Sequence, residues 1–309
     1  MKIKSVKTIT NIVDYSNEVT DHNIYIDTDS VFFSAVPIMD YRWKDWKSGT
    51  DNEIAEKVNL VAEEVQDYLN LFYDQLALKI LHITSHRLEI KKEYVIKAGL
   101  WVKKKRYAQW IISDNGVPVD KLDVKGLDVK RSSFPKAFQK TMSDVLISIL
   151  RDKEEAEITD YVASFKKSMT SLDIRDVAKN SAVKNLKKYM PKGDRKILQF
   201  MKGTPAHVKA AIAYNDLLIH FKTPYKYQPM KGGDKIKWVY LKTNPLGIDG
   251  LGFTGYQDPP EIVKFIETYI DHDKIFEREL HHKLQDFYNA VGWGEVLSQE
   301  KTASQFFSF

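Results

Sequence analysis

The sequence contains no cysteine, which excludes disulfide bonds and thiolate metal sites and agrees with a reducing compartment. Its eight histidines show no zinc-binding spacing, and the adjacent pair His281 and His282 is assigned to the surface or to a helix cap. No stretch reaches the roughly 18 apolar residues of a transmembrane helix, and no signal peptide pattern opens the chain. We therefore expect a cytoplasmic protein with no membrane partner.

Internal repeats and low-complexity tracts are also absent, and the remaining composition is that of a globular protein. The 309 residues are 43% hydrophobic and 12% aromatic, enough for one large domain or two ordinary ones. The net charge is +5, yet residues 91–140 alone hold thirteen Lys or Arg against five Asp or Glu. Tyrosines and tryptophans interleave with these cations. Such a segment is typical of a surface that binds a phosphate backbone, and a solvated basic surface is the alternative.

A pair of carboxylates lies between two apolar runs near the N-terminus. The hexapeptide at residues 25–30 is Y-I-D-T-D-S, preceded by Ile24 and followed by Val-Phe-Phe. This pattern predicts a β-hairpin over residues 24–38 that ends at Pro37. Because residues two apart in a strand point the same way, we expect Asp27 and Asp29 to converge. Paired carboxylates suit Mg²⁺, whereas a plain polar turn is the alternative interpretation.

The next hundred residues predict a helix and a small antiparallel sheet. Apolar residues recur every three or four positions from Ile54 to Leu76, which is typical of a helix packed on a core. Residues 83–101 and 106–112 favour strands, and Asn115-Gly116 predicts a hairpin turn. We expect a sheet backed by the helix, through about residue 130.

From Phe134 onward the hydrophobic pattern becomes helical. Stripes over residues 138–149, 162–169, 207–221 and 259–292 predict helices, and residues 236–241 predict a strand after a turn. The predicted class is α+β: a partial antiparallel sheet with a packed helix, then a mostly helical domain with a small β insertion.

These motifs together resemble the family B DNA polymerases. The hexapeptide at 25–30 resembles motif C of their palm, and residues 102–108, V-K-K-K-R-Y-A, resemble their K-K-R-Y segment. Residues 125–136 resemble the stretch that leaves the palm. The C-terminal half resembles the thumb of the T-even-phage type, through G-T-P-A-H at 203–207, N-P-L-G at 244–247 and I-D-H at 270–272. The implied domains are palm at 1–133, thumb at 134–300 and a clamp-binding tail at 301–309.

The resemblance implies a two-metal nucleotidyl transfer site. Asp29 matches the second aspartate of motif C and is the expected metal ligand, while Asp27 lies beside the metals or binds intermittently. Glu89 is a further candidate ligand, and an exposed strand glutamate is an equal alternative. The implied cofactor is a pair of Mg²⁺ ions shared with a partner chain.

The basic motif is expected to hold DNA in two ways. Lys105 and Tyr107, two apart, would share one face of a strand, from which the lysine reaches minor-groove acceptors that all base pairs present. Lys103, Lys104 and Arg106 would contact phosphates. The resemblance further assigns the primer backbone to a set near the palm–thumb junction: Lys125, Gly126, Lys130, Arg131 and Ser132.

Three family motifs are missing from this sequence: D-x-x-S-L-Y-P, which carries the first palm carboxylate, K-x-x-x-N-S-x-Y-G of the fingers, and the D-x-E of the proofreading domain. We therefore expect one product of a split polymerase gene, acting on primer-template DNA and dNTP with an N-terminal polymerase fragment. It would work in phage-type replication, in the cytoplasm of an infected host. The alternative is a non-catalytic module that binds duplex DNA and tethers a sliding clamp.

The last five residues are Q-F-F-S-F. An aromatic peptide at a free end can fill a hydrophobic pocket on a partner. The segment resembles the C-terminal sliding-clamp peptides of phage and bacterial replication proteins, which assigns clamp binding to Gln305, Phe306, Phe307 and Phe309. A tail folded back on its own domain is the alternative.

Overall fold

The computed structural model describes residues 12–13, 19–20, 23–27, 29–190, 196–223 and 225–297. The fold is α+β, as expected, and it divides into two compact units. The first takes the described residues up to Leu127 together with Ile149–Asp152 and Asn289–Trp293, and the second takes the others. Among the described residues, no helix combines the length and the apolar character needed to cross a bilayer.

The first unit begins with short antiparallel pairs. Strand β1 (Ile12–Val13) pairs with β2 (Val19–Thr20), and β3 (Asn23–Asp27) pairs with β4 (Ser30–Phe33). The predicted hairpin is confirmed, but it ends at Phe33 instead of Pro37. The proline lies in the first turn of helix α1 (Val36–Arg42). There its missing N–H needs no partner, so the proline starts a helix and does not end a strand.

Helix α2 (Asp51–Lys79) matches the predicted apolar stripe. It starts at a capping box, in which Thr50 Oγ1 accepts from the Glu53 backbone N–H and Glu53 accepts from the Thr50 backbone N–H at 2.7 Å. Ala55 packs in a cluster with Val95 and Ile112 of the neighbouring sheet. The helix therefore backs the sheet, as the sequence predicts.

That sheet has the order β5-β6-β7, from β5 (Tyr94–Lys103), β6 (Arg106–Asp114) and β7 (Val117–Lys125). Asn115 and Gly116 form the β6–β7 turn, both with positive φ, which confirms the predicted turn.

The strand predicted over residues 83–93 is wrong, because that segment is irregular up to Tyr94. Its backbone is held by side chains of α2 instead of by a neighbouring strand. The Asn70 amide accepts from Ile90 N at 2.8 Å and donates to Ile90 O at 3.0 Å, and Gln66 accepts from Lys92 N at 2.9 Å.

The second unit is mostly helical. Its helices are α3 (Lys136–Leu150, whose last two residues fall in the first unit), α4 (Glu155–Ser168), α5 (Ile174–Val177), α6 (Leu186–Tyr189), α7 (Ala206–His220), α8 (Pro260–Tyr269), α9 (His272–Ile275) and α10 (His282–Val291, whose last three residues fall in the first unit). A π-helix, Phe276–His281, joins α9 to α10. Its sheet has the order β10-β9-β8, from β8 (Lys179–Ala182), β9 (Lys235–Tyr240) and β10 (Gly250–Phe253).

Two details of the second unit differ from the prediction. The helix expected over residues 259–292 is interrupted at Ile270, which bridges to Leu241, and Asp271 then caps α9. The expected single strand is a three-stranded sheet. The hydrophobic pattern does not predict its two edge strands. Strand β8 is polar. Strand β10 contains Gly252, where a Cβ would come within 3.0 Å of the Ala210 carbonyl oxygen.

Candidate functional site

The two candidate metal ligands lie at the tip of the β3–β4 hairpin. Asp27 is the last residue of β3 and is half-buried, and it faces Ser30, whose Oγ donates to the Asp27 carbonyl at 3.2 Å. Asp29 lies in the turn and is exposed. Strand periodicity therefore does not align Asp29 with Asp27, although the short turn keeps both at one tip.

The basic motif forms the tip of the β5–β6 hairpin. Lys103 faces Arg106 across the ladder, and Lys104 and Lys105 make the turn. Lys105 has a φ of 60°. The expectation that Lys105 and Tyr107 share a strand face is thus wrong, because Lys105 precedes the strand and its backbone is left-handed.

The two hairpin tips contact each other through Lys105. Its backbone N–H donates to the Tyr25 hydroxyl at 2.9 Å, and its Nζ lies 3.4 Å from Asp27 Oδ1. The Lys105 side chain is 65% exposed, whereas the Asp27 side chain is 27% exposed. The basic motif and motif C are therefore parts of one site, with a cation against one of the two carboxylates.

Gly126 closes on the same turn. Its φ is +66°, and a Cβ at this position would lie 2.1 Å from the Lys105 carbonyl oxygen. Only glycine allows the chain leaving β7 to pass so close to the turn. Gly126 thus has a structural role here beside the DNA contact predicted for it.

Four aromatic rings support the two hairpins from behind. Tyr25 lies 5.6 Å from Tyr107 and 5.9 Å from Phe32, while Trp101 lies 5.9 Å from Phe32 and stacks on Tyr107 at 6.2 Å, all between ring centroids. Such aromatic contacts stabilise the fold by more than the burial of their surface alone would contribute. Gly99 makes room for them, because a Cβ there would lie 2.2 Å from the Trp101 ring.

Burial raises the pKa of the Tyr107 phenol, which lies well above neutral pH even without this shift. Lys125 faces Tyr107 across the β6–β7 ladder and lies 3.4 Å from Asp123, which also accepts from the buried Gln109 amide at 3.2 Å. Sequence reasoning missed Gln109 and Asp123, because no motif marks them. Asp29, Tyr107 and Lys125 line the same groove.

The remaining candidates lie elsewhere. Glu89 is in the irregular segment, 62% exposed, with Lys91 Nζ at 3.3 Å. Among the described residues, Asp27, Asp29 and Glu89 do not form a compact group of three ligands. Lys130, Arg131 and Ser132 belong to the second unit, where Arg131 pairs with Asp128 at 2.7 Å. Gln305, Phe306, Phe307 and Phe309 lie outside the described residues.

The hairpin tip fits Mg²⁺ in chemistry, since carboxylate oxygens are its preferred ligands. A two-ion centre would need more oxygen donors than Asp27 and Asp29 provide.

Comparison with known proteins identifies the family of this sequence. The family profile described as DNA polymerase family B matches residues 2–291. The DNA-directed DNA polymerase of Enterobacteria phage T4 is 23% identical over 316 residues, which cover 96% of this chain and 33% of the phage protein. That of Escherichia phage RB69 is 25% identical over 323 residues, with the same coverages.

An archaeal relative, the DNA polymerase of Thermococcus gorgonarius, is 28% identical over 222 residues, covering 69% of this chain and 22% of that protein. The chain thus spans about a third of the length of the phage relatives. A family match over residues 2–291 includes both hairpins and nearly all of the second unit. The chain therefore belongs to DNA polymerase family B.

Proposed function

We propose that this chain is the C-terminal part of a DNA-directed DNA polymerase, with half a palm at residues 1–133 and a thumb at 134–300. It forms its active site together with an N-terminal polymerase fragment. The observation that carries the proposal is the contact of Lys105 with both Tyr25 and Asp27, within a chain matched to family B over residues 2–291.

The chemistry is template-directed nucleotidyl transfer. Two bound Mg²⁺ ions would lower the pKa of the primer hydroxyl and stabilise the leaving pyrophosphate. Asp29 and Asp27 offer oxygen ligands from this chain, and the N-terminal fragment supplies the missing palm carboxylate. Lys105 Nζ lies 3.4 Å from Asp27 Oδ1, so a cation accompanies this carboxylate before the fragments assemble.

The DNA-binding role follows from the exposed cations around the site. Lys103, Lys104 and Lys105 are exposed at the β5–β6 turn. Lys105 donates to minor-groove acceptors of the primer-template, and Tyr107 supports the turn through its ring contacts with Tyr25 and Trp101. The other cations hold phosphates, and Lys125, Gly126, Lys130, Arg131 and Ser132 hold the primer backbone.

The proposed partners are the N-terminal fragment, which completes the palm, and a sliding clamp, to which we assign the C-terminal residues 301–309.

Reconstitution tests the proposal. The isolated chain is expected to extend no primer, and addition of the N-terminal fragment is expected to restore Mg²⁺-dependent synthesis. In the assembled enzyme, Asp29→Ala should abolish synthesis and leave duplex binding intact, because it removes a metal ligand and no phosphate contact. Asp120→Ala removes an exposed carboxylate from β7 and serves as the matched control.

Each outcome distinguishes a part of the proposal. Robust extension by the isolated chain contradicts the need for a partner. Normal turnover of the Asp29→Ala enzyme contradicts the metal assignment. Duplex binding without synthesis in any mixture indicates the non-catalytic module.

A further inference from the structure

The helical run from His272 to Val291 contains a π-helical segment, Phe276–His281. In an α-helix, residues i and i+5 lie about 140° apart around the axis. A π-helix has about 4.4 residues per turn, so residues i+4 and i+5 both lie within about 50° of residue i. The π-helix therefore places His281 and His282 together beside Glu277.

The three side chains converge on one point. His281 Nδ1 lies 3.4 Å and His282 Nε2 lies 3.6 Å from the same carboxylate oxygen, Glu277 Oε1. One ligand atom from each residue lies within 4.8 Å of the other two. It is the single group of three such ligands that the described part of the chain contains.

We propose that Glu277, His281 and His282 form a Zn²⁺ site on the second unit, separate from the polymerase chemistry. Tetrahedral Zn²⁺ with bonds of about 2.0–2.1 Å holds its ligand atoms about 3.4 Å apart. The distances from Glu277 Oε1 to the two imidazole nitrogens, 3.4 and 3.6 Å, agree with this ligand–ligand distance. Imidazole and carboxylate donors favour Zn²⁺ over Mg²⁺ or Ca²⁺, and three protein ligands leave the fourth position to water.

A second observation points to a ligand at this place. His281 Nδ1 is shielded from solvent, and Glu277 Oε1, 3.4 Å away, forms no hydrogen bond with it. A buried polar atom without a hydrogen bond is unfavourable and calls for an explanation. The His281 ring lies 6.2 Å from the Phe276 ring and 5.7 Å from the His282 ring, which restricts its orientation. A metal ion bound at Nδ1 would satisfy this nitrogen.

Metal titration of the full, untagged, metal-free chain tests the site. We expect one Co²⁺ per chain with the intense visible bands of tetrahedral coordination, and we expect Zn²⁺ to abolish these bands by displacement. His281→Ala, His282→Ala and Glu277→Gln should each weaken binding at least tenfold, the lower end of what loss of a supporting partner costs at metal sites.

Matched controls separate this site from adventitious binding. His220→Ala and Glu261→Gln remove an exposed imidazole and an exposed carboxylate outside the cluster, and both should leave the affinity unchanged. Zn²⁺ should raise the unfolding temperature of the wild-type chain and of these controls only. The proposal is overturned if no tetrahedral Co²⁺ spectrum forms, or if the three cluster variants bind as tightly as the controls. In either case Glu277, His281 and His282 are only polar neighbours.

Discussion

At the residue scale, the candidate site depends on side chains that serve two neighbours at once. Tyr25 packs on Phe32 and Tyr107 through its ring and accepts from Lys105 through its hydroxyl. Lys105 in turn connects that hydroxyl to Asp27. Local chemistry of this kind predicts distinct effects for neighbouring lysines of one basic run.

Lys105→Ala should impair primer extension, especially from a mismatched terminus, because it removes the contact to Asp27 and the minor-groove donor. Lys103→Ala should instead weaken duplex affinity evenly across sequences and lower the salt dependence by about one unit of slope. Steady-state extension assays and salt titrations of the reconstituted enzyme measure the two effects. Equal, purely salt-dependent losses would mean that the run is only an electrostatic patch.

A second residue-scale prediction concerns acid sensitivity. Burial lowers the pKa of His207, assisted by Lys179, and of His272, assisted by Lys242 and opposed by Asp273 and Asp271. Both imidazoles are therefore neutral in the fold and bind protons more readily when the chain unfolds. The free energy of unfolding should then fall as the pH drops below the unfolded pKa of about 6.5.

Denaturant titrations between about pH 7.5 and 5 would measure this dependence. His272→Gln and His207→Gln should flatten it, while His220→Gln, at an exposed position, serves as the control. An unchanged pH dependence in both the His207 and the His272 variants would show that other groups cause the acid sensitivity.

At the scale of elements, turns and helix ends explain how the hairpins are held. The capping box at Thr50 sets where α2 begins, and amides on α2 hold the irregular segment before β5. Gly126 and Gly116 both have positive φ, but only Gly126 lies against another part of the backbone. Comparing substitutions at Gly116 and Gly126 therefore separates the cost of a steric clash from the cost of a left-handed backbone.

Gly116→Ala should destabilise the chain by about 1–2 kcal/mol, the cost of a left-handed alanine, because nothing lies within 4 Å of its Cβ. Gly126→Ala should cost more, since its Cβ would also lie 2.1 Å from the Lys105 carbonyl oxygen. Urea unfolding of the two variants gives the comparison. Equal losses would contradict the close approach of Gly126 to the turn.

At the scale of the whole molecule, the chain divides into two units and spans about a third of the length of its phage relatives. The enzyme that we propose, assembled with an N-terminal fragment, would depend on attachment to DNA and to its partners. The C-terminal aromatic residues are the proposed means of clamp attachment.

In the reconstituted enzyme, deletion of residues 305–309 should leave synthesis on short primers intact. The same deletion should shorten the products on long templates when the clamp is present. Burial of each phenylalanine contributes roughly 1.5–3 kcal/mol before ordering costs, so two or three anchors give micromolar attachment. A clamp that encircles the DNA then acts through effective concentration. A lower melting temperature after deletion, or unchanged product length, would contradict this role.

Hydrophobic periodicity and turn chemistry were enough to predict α2, α7, the β3–β4 hairpin and the Asn115-Gly116 turn, because each depends on residues that are neighbours along the chain. The same local pattern carried the family motifs at residues 25–30 and 102–108. Contacts between distant segments decided the rest: Lys105 on Tyr25 and Asp27, and the amides of Asn70 and Gln66 that replace a strand partner for residues 83–93.

The cluster at Glu277 also escapes periodicity, since the wider turn of the π-helix brings His282 beside Glu277 against the spacing that an α-helix predicts. Periodicity reports which face of an element is buried, but it carries no record of which distant group will approach that face. Packing in the folded chain chooses that group, so the constellation around Asp27 and the cluster at Glu277 became visible only in three dimensions.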